Sequence, residues 1–136
     1  MTPAAMATLH ARCFTQPRPW LAQEFEAIVS DPLCFTLFES DGFLIGRAVA
    51  DEAEILTLAV DPNARRNGVA SKLVRGFLAE AKTRSAVLVF LEVAANNTPA
   101  ISLYLQAGFA KAGLRRGYYA PPGGTAIDAV LMSRAV

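Results

Sequence analysis

With 136 residues, 53% of them hydrophobic, and a formal net charge of +1, the chain has the makeup of one packed domain spanning residues 1–136. That charge balance excludes bulk electrostatic binding to nucleic acid or to a membrane surface, and no apolar run has the length of a bilayer span or the pattern of a signal peptide. Cys13 and Cys34 form neither a metal-like spacing nor a disulfide framework, so the chain reads as a cytoplasmic protein with reduced thiols and no metal.

In chain order, Ala4 to Phe14 and Trp20 to Val29 read as helices. Phe35 to Glu39 and Gly42 to Val49 read as an antiparallel hairpin turned at Ser40-Asp41-Gly42. Asp51 to Val60 is a strand, Val69 to Thr83 a helix, and Ala86 to Val93 a buried strand rich in Val and Leu. A further helix runs from about Pro99 to Gln106, with Asn97 or Thr98 as its N-cap and Gly108 past its end. Tyr118 to Gly124 reads as a loop and Ala126 to Met132 as a closing strand. The segment from Val60 to Val93 is then a βαβ unit with parallel strands.

The junction inside that unit carries the chemistry. The apolar strand ends at Val60, the chain breaks at Asp61-Pro62, and a basic turn through Arg65, Arg66, Asn67 and Gly68 enters the helix. A helix leaves its first N–H groups, here those of Val69, Ala70 and Ser71, without partners, and its macrodipole adds partial positive charge there. Gly68 allows close approach to the backbone, and Arg65 and Arg66 add attraction for an anion. The arrangement predicts a pyrophosphate cradle. The patterns G-x-x-x-x-G-K-[ST] and G-x-G-x-x-G are both absent, so neither a P-loop nor a dinucleotide site is indicated.

The stretch Arg65-x-x-Gly68-x-Ala70 resembles the [QR]-x-x-G-x-[GA] signature of the GNAT acyltransferases. Further blocks follow in order: Leu91-Glu92-Val93 with Asn97, Ala100 to Tyr104, Gly108-Phe109, and Arg115-Arg116-Gly117-Tyr118-Tyr119. Together they resemble the ribosomal-protein-alanine N-acetyltransferases, the RimI branch of GNAT. The resemblance implies the GNAT fold, a single mixed twisted sheet flanked by helices. It also implies acetyl-coenzyme A as cosubstrate and, as acceptor, the N-terminal amine of a protein, such as that of a ribosomal protein. A monomer or weak dimer is expected. GNAT domains usually open on a strand before the first helix, and no residues for that strand precede Ala4.

Acetyl transfer to an amine needs a base for the amine, donors for the thioester oxygen, and an acid for the departing thiolate. Glu92 sits late in an otherwise apolar strand, where partial desolvation strengthens a carboxylate as a base; a glutamate emerging at a strand end into solvent or a salt bridge is the competing reading. The resemblance makes Glu92 the proton acceptor and Tyr104 the proton donor. A tyrosine between Leu103 and Leu105 is otherwise a core aromatic. By the same resemblance, the backbone of Leu58, Ala59 and Val60 binds the cosubstrate where the sheet splits, and Asn97 contacts it while capping the helix. Trp20, Tyr118 and Tyr119 occupy acceptor-groove positions, with surface packing as the competing reading of the two tyrosines. Glu54 is a second candidate for orienting the amine, against its reading as a solvent-facing glutamate at the strand start. His10 reads as structural. Ala94 departs from the branch, which commonly carries Arg there, and this bears on acceptor preference. Two alternatives remain: acetylation of a small-molecule amine, and a non-catalytic acetyl-coenzyme A-binding regulator, for which neither Glu92 nor Tyr104 would be needed.

Overall fold

The computed structural model describes the chain outside residues 15–17, 66 and 121. It opens on helix α1 (Pro3–Cys13), with no strand before it among the described residues, and continues with α2 (Ala22–Val29). Strands β1 (Cys34–Glu39), β2 (Gly42–Val49) and β3 (Glu52–Val60) follow, then α3 (Val69–Thr83), β4 (Leu88–Ala94), α4 (Thr98–Gln106), β5 (Ala110–Tyr119) and β6 (Ile127–Ala135). Six strands form one mixed sheet in the order β1-β2-β3-β4-β6-β5, in which only β3 and β4 run parallel.

Two clusters of apolar side chains hold the layers together. On one face, Leu73, Val74 and Phe77 of α3 and Tyr104 of α4 pack with Ile55, Val89, Leu91 and Met132 of the sheet. On the other face, Met6 and Leu9 of α1 and Phe25 of α2 pack with Phe43, Ile45 and Ala59. The α3 periodicity seen in the sequence therefore marks a core-facing stripe, as expected of an amphipathic helix.

The strand that positions the site is β3. In its pairing with β2, Ile45 faces Thr57 and Gly46 faces Ile55, so Leu56 is an extra residue and forms a β-bulge. Ahead of the bulge, Ala53 and Ile55 join the α3 cluster; Leu56 at the bulge and Ala59 beyond it join the α1–α2 cluster, while Leu58 and Val60 return to the α3 side. Parallel pairing with β4 stops at Ile55, opposite Leu91, so the two strands diverge from there. Close packing backs the bulge at Gly46: a methyl group there would lie 2.5 Å from Phe35 and 2.9 Å from Phe77, whose rings stack at 5.9 Å. Gly46→Ala should therefore cost about 1–3 kcal/mol by overpacking, read as a lower melting temperature; an unchanged melt would contradict this packing.

Strand β5 is the main departure from the sequence reading, in which residues 110–117 carried no element and Tyr118-Tyr119 opened a loop. Ala110 to Arg116 are all exposed, so this edge strand shows none of the apolar alternation that marks a half-buried one. Its ladder is also irregular. Arg115 faces Ala129 and Tyr119 faces Ile127, leaving Arg116, Gly117 and Tyr118 opposite Asp128 alone. Gly117 takes the left-handed conformation (φ 61°) and donates its N–H to Asp128 Oδ1 at 2.8 Å. The closing strand also runs further than expected, to Ala135.

Candidate active site

Where β3 leaves β4, a cleft of about 170 Å³ opens through the sheet. Among the described residues, the edge of β3 beyond Ile55 has no strand partner on this side, which leaves alternate backbone groups of Leu56 to Ala59 outside the strand ladder. The cleft is lined from β3 by Ile55 to Leu58, from β4 by Leu91 to Ala94, from α1 and α4 by His10 and Tyr104, and from the segments before α2 and α4 by Trp20 and Asn97, with Tyr119 closing one side.

The loop after β3 is built by local hydrogen bonds. Asp61 Oδ1 accepts from Asn63 N–H at 2.9 Å, and the Asp61 carboxylate takes two bonds from Arg12 of α1, at 2.9 and 3.2 Å. The Asn63 N–H and then Arg12 hold that carboxyl below its usual range. Cys13 Sγ donates to the Val60 carbonyl at 3.2 Å, so the end of α1 is tied to the start of the loop. Arg65 and Asn67 are exposed, and Arg66 lies outside the described residues. Gly68 is the N-cap of α3 at φ 77°, a left-handed conformation that favours glycine, and a Cβ there would meet nothing within 4 Å. The first turn of α3, Val69, Ala70 and Ser71, follows directly, with its N–H groups directed toward the helix start as in any helix.

Asn97, rather than Thr98, caps α4. Its side chain accepts from Ala100 N–H at 3.3 Å, with Pro99 in the first turn. This cap sets α4 so that Tyr104 reaches the cleft from the α3 side of the sheet, 6% exposed and edge-on to Phe109 at 5.8 Å. Burial alone pushes its phenol up, so it keeps its proton at neutral pH.

Glu92 enters the cleft from the opposite face, with 22% of its side chain exposed. Its Oε1 pairs with Arg115 Nη2 at 3.3 Å, while Oε2 is buried without a partner among the described residues. The neighbouring Glu54 is half-buried rather than a freely solvated strand-end glutamate. Burial, and then the Glu92 charge, push its carboxyl up, with Arg47 and Arg115 pulling the other way. Tyr118 and Tyr119 separate, as successive strand residues do. Tyr119 is buried against Ala94 and Ala129 and lines the cleft, whereas Tyr118 is 53% exposed beneath the Arg115 guanidinium.

His10 is structural in the sense expected, but it also forms part of the cleft wall. Its Nδ1 accepts from Trp20 N–H at 3.1 Å, so Nε2 carries the proton and donates to Thr57 Oγ1 at 2.8 Å. The ring thereby fastens Trp20 and the residue after the bulge to one another. Burial lowers its value from 6.5 to about 4, against a smaller opposing effect of Glu24. The folded value lies below the unfolded one, so the stability His10 contributes is whole above pH 6.5 and is lost as pH falls toward 4. The full loss is about 3 kcal/mol. Glu24, held down to about 2, loses its own contribution only below its ordinary 4.5. The melting temperature should therefore fall between pH 6.5 and 4.5 in the wild type and much less in His10→Gln; parallel curves would contradict this assignment.

Comparison with known proteins bears on the family and the fold. The family model described as acetyltransferase (GNAT) family matches residues 4–109. The chain belongs to the GNAT family. The [Ribosomal protein bS18]-alanine N-acetyltransferase of Salmonella typhimurium is 41% identical over 91 residues, covering 67% of this chain and 61% of the relative. The chain thus spans about three-fifths of that relative's length. The N-alpha-acetyltransferase RimI of Mycobacterium tuberculosis is 33% identical over 94% of this chain and 83% of its own length. Among solved structures, the ribosomal-protein-S18-alanine N-acetyltransferase from Escherichia coli superposes with a TM-score of 0.85. It is 31% identical and covers 98% of this chain and 86% of that one. In this GNAT chain, Glu92, Tyr104, Asn97, Trp20 and Tyr119 meet in one cleft, while Gly68 and the first turn of α3 lie outside its lining. Thr57 also lines the cleft, and Arg115 is tied to it by the pair with Glu92; neither was among the expected site residues. Arg115 was visible in the sequence only as part of its Arg-Arg-Gly-Tyr-Tyr block, and nothing in the sequence marked Thr57 as a neighbour of His10.

Proposed function

We propose that the chain is an acetyl-coenzyme A-dependent N-acetyltransferase that acetylates the α-amine of a protein N-terminus, with an N-terminal alanine as the favoured acceptor. The observation that carries this reading is the meeting, across one gap in the sheet, of a carboxylate with a free oxygen and a phenol that keeps its proton. The names of the relatives from Salmonella typhimurium and Mycobacterium tuberculosis support an α-amine acceptor, and a ribosomal acceptor would place the enzyme in the cytoplasm. Among the described residues, no helix is long and apolar enough to cross a membrane.

The donor supplies an activated thioester. Gly68 and the N–H groups of Val69, Ala70 and Ser71 offer the pyrophosphate an electropositive seat, to which Arg65 adds charge. The open edge of β3 from Leu58 to Val60 offers backbone hydrogen bonds to the pantetheine arm and the thioester oxygen. Asn97, at the head of α4, adds a side-chain contact. Glu92 takes the proton of the attacking amine through its unpartnered Oε2, and Tyr104 returns a proton to the leaving sulfur. Trp20 and Tyr119 line the cleft on the acceptor side, and Glu54 and the exposed Tyr118, which stand outside that lining, are assigned to guiding the acceptor toward it.

A steady-state panel with acetyl-coenzyme A tests the assignment, with peptides starting in Ala, Ser, Thr or Met set beside polyamines and free amino acids. The Ala-starting peptide should give the highest kcat/KM. A higher value for a small amine would replace the protein acceptor with a small-molecule one, and binding without turnover of any acceptor would leave a regulatory module.

A further inference from the structure

Arg115 stands on β5 opposite Ala129 of β6, and Ala129 in turn stands opposite Ala94 of β4. Cross-strand partners project from the same sheet face, and Ala94 lies two residues beyond Glu92 on that face. Ala129 and Ala94 are 0% and 6% exposed. Tyr119 packs on these two alanines, and β6 lies between Arg115 on β5 and Glu92 on β4, so a side chain joining the two must cross it. Arg115 makes that crossing, and its guanidinium ends 3.3 Å from Glu92 Oε1 while lying 5.1 Å from the centroid of the Tyr118 ring. The Glu92 carboxylate is thereby divided: Oε1 is held, and Oε2 is buried with no partner among the described residues. A carboxylate tied at one oxygen presents the other in a fixed direction.

We infer that Arg115 is a positioning residue for acetyl transfer, holding Oε1 of Glu92 so that Oε2 is the oxygen that meets the acceptor amine. This rests on the function proposed above. The guanidinium suits the task because its plane pairs with a carboxylate while its face lies on an aromatic ring, which an ammonium cannot reproduce. Its effect is geometric rather than stabilising, since 60% of the Arg115 side chain is exposed and solvent screens the ion pair.

Arg115→Met keeps an unbranched stem and removes the charge. It should lower kcat roughly 10- to 100-fold, the scale of a misplaced catalytic group, with the melting temperature and acetyl-coenzyme A affinity unchanged. Arg115→Lys should recover part of the loss. The deciding readout is a double-mutant cycle: in a Glu92→Gln background, Arg115→Met should cost nothing further, because the group it positions is no longer a base. Additive losses, or wild-type kcat in Arg115→Met, would overturn the inference alone. A wild-type rate in Glu92→Gln would overturn the base assignment and the inference with it.

Discussion

Glu92→Gln is expected to reduce turnover by about 10²–10⁴-fold, the usual contribution of a general base. The substitution keeps the shape of the side chain and its place on β4, so the cleft and the adjoining strand pairs should remain intact. What changes is Oε2, the buried oxygen without a partner, which becomes part of an amide that cannot accept a proton. Because the loss falls on a proton transfer, it should appear in kcat, with acetyl-coenzyme A affinity nearly unaffected. Single-turnover kinetics with an Ala-starting peptide measures this directly. A wild-type rate would move the base to Glu54, whose carboxyl is already raised by burial and by Glu92, or leave the proton to solvent.

The second large effect concerns the cradle. Gly68→Val places a β-branched residue at φ 77°, a left-handed conformation costing of order 1–3 kcal/mol for such a side chain. The new Cβ has no protein neighbour within 4 Å, so the core is undisturbed and the folded state should persist. The loop can relieve the strain only by turning Val69, Ala70 and Ser71 away from their forward-facing arrangement, and the added side chain projects into the space before them. Acetyl-coenzyme A affinity should fall roughly 10- to 100-fold, where each factor of ten is about 1.4 kcal/mol. Calorimetry on a variant with a native-like melt decides it. Unchanged affinity would remove the phosphate seat from this loop.

What the sequence made legible follows from where its signals are local. The strand, the Asp61-Pro62 break and the helix from Val69 fall where periodicity and turn chemistry put them, and α4 begins at a side-chain cap, as its Asn-Thr-Pro opening suggests. Glu92 reads as a charged residue on an apolar strand, and that is how it stands. The bulge at Leu56 left no such mark. An extra residue in a strand of Leu, Thr and Ala changes no composition, and it becomes visible only through the partner register that breaks at Ile45 and Gly46. The family resemblance implied a splayed strand; the local residues did not.

Strand β5 was illegible for a different reason. An exposed edge carrying Lys111, Arg115, Arg116 and two glycines has no buried face for a period-2 pattern to record. Missing that strand also hid Arg115, because its relation to Glu92 runs through Ala129 and Ala94 on two other strands. The partnership of His10 with Thr57 joins residues 47 positions apart through a helix and a bulge, and no local spacing encodes it. Contacts made across sheet register are read from the fold alone.

The most direct measurement is tandem mass spectrometry of an Ala-starting peptide that also carries an internal lysine, after incubation with the wild-type chain and acetyl-coenzyme A. A single acetyl group on the α-amine, absent when Glu92→Gln replaces the wild type over the same interval, is the predicted result. Acetylation confined to the lysine side chain, or no acetylation of the peptide beside ready turnover of a polyamine, would contradict it.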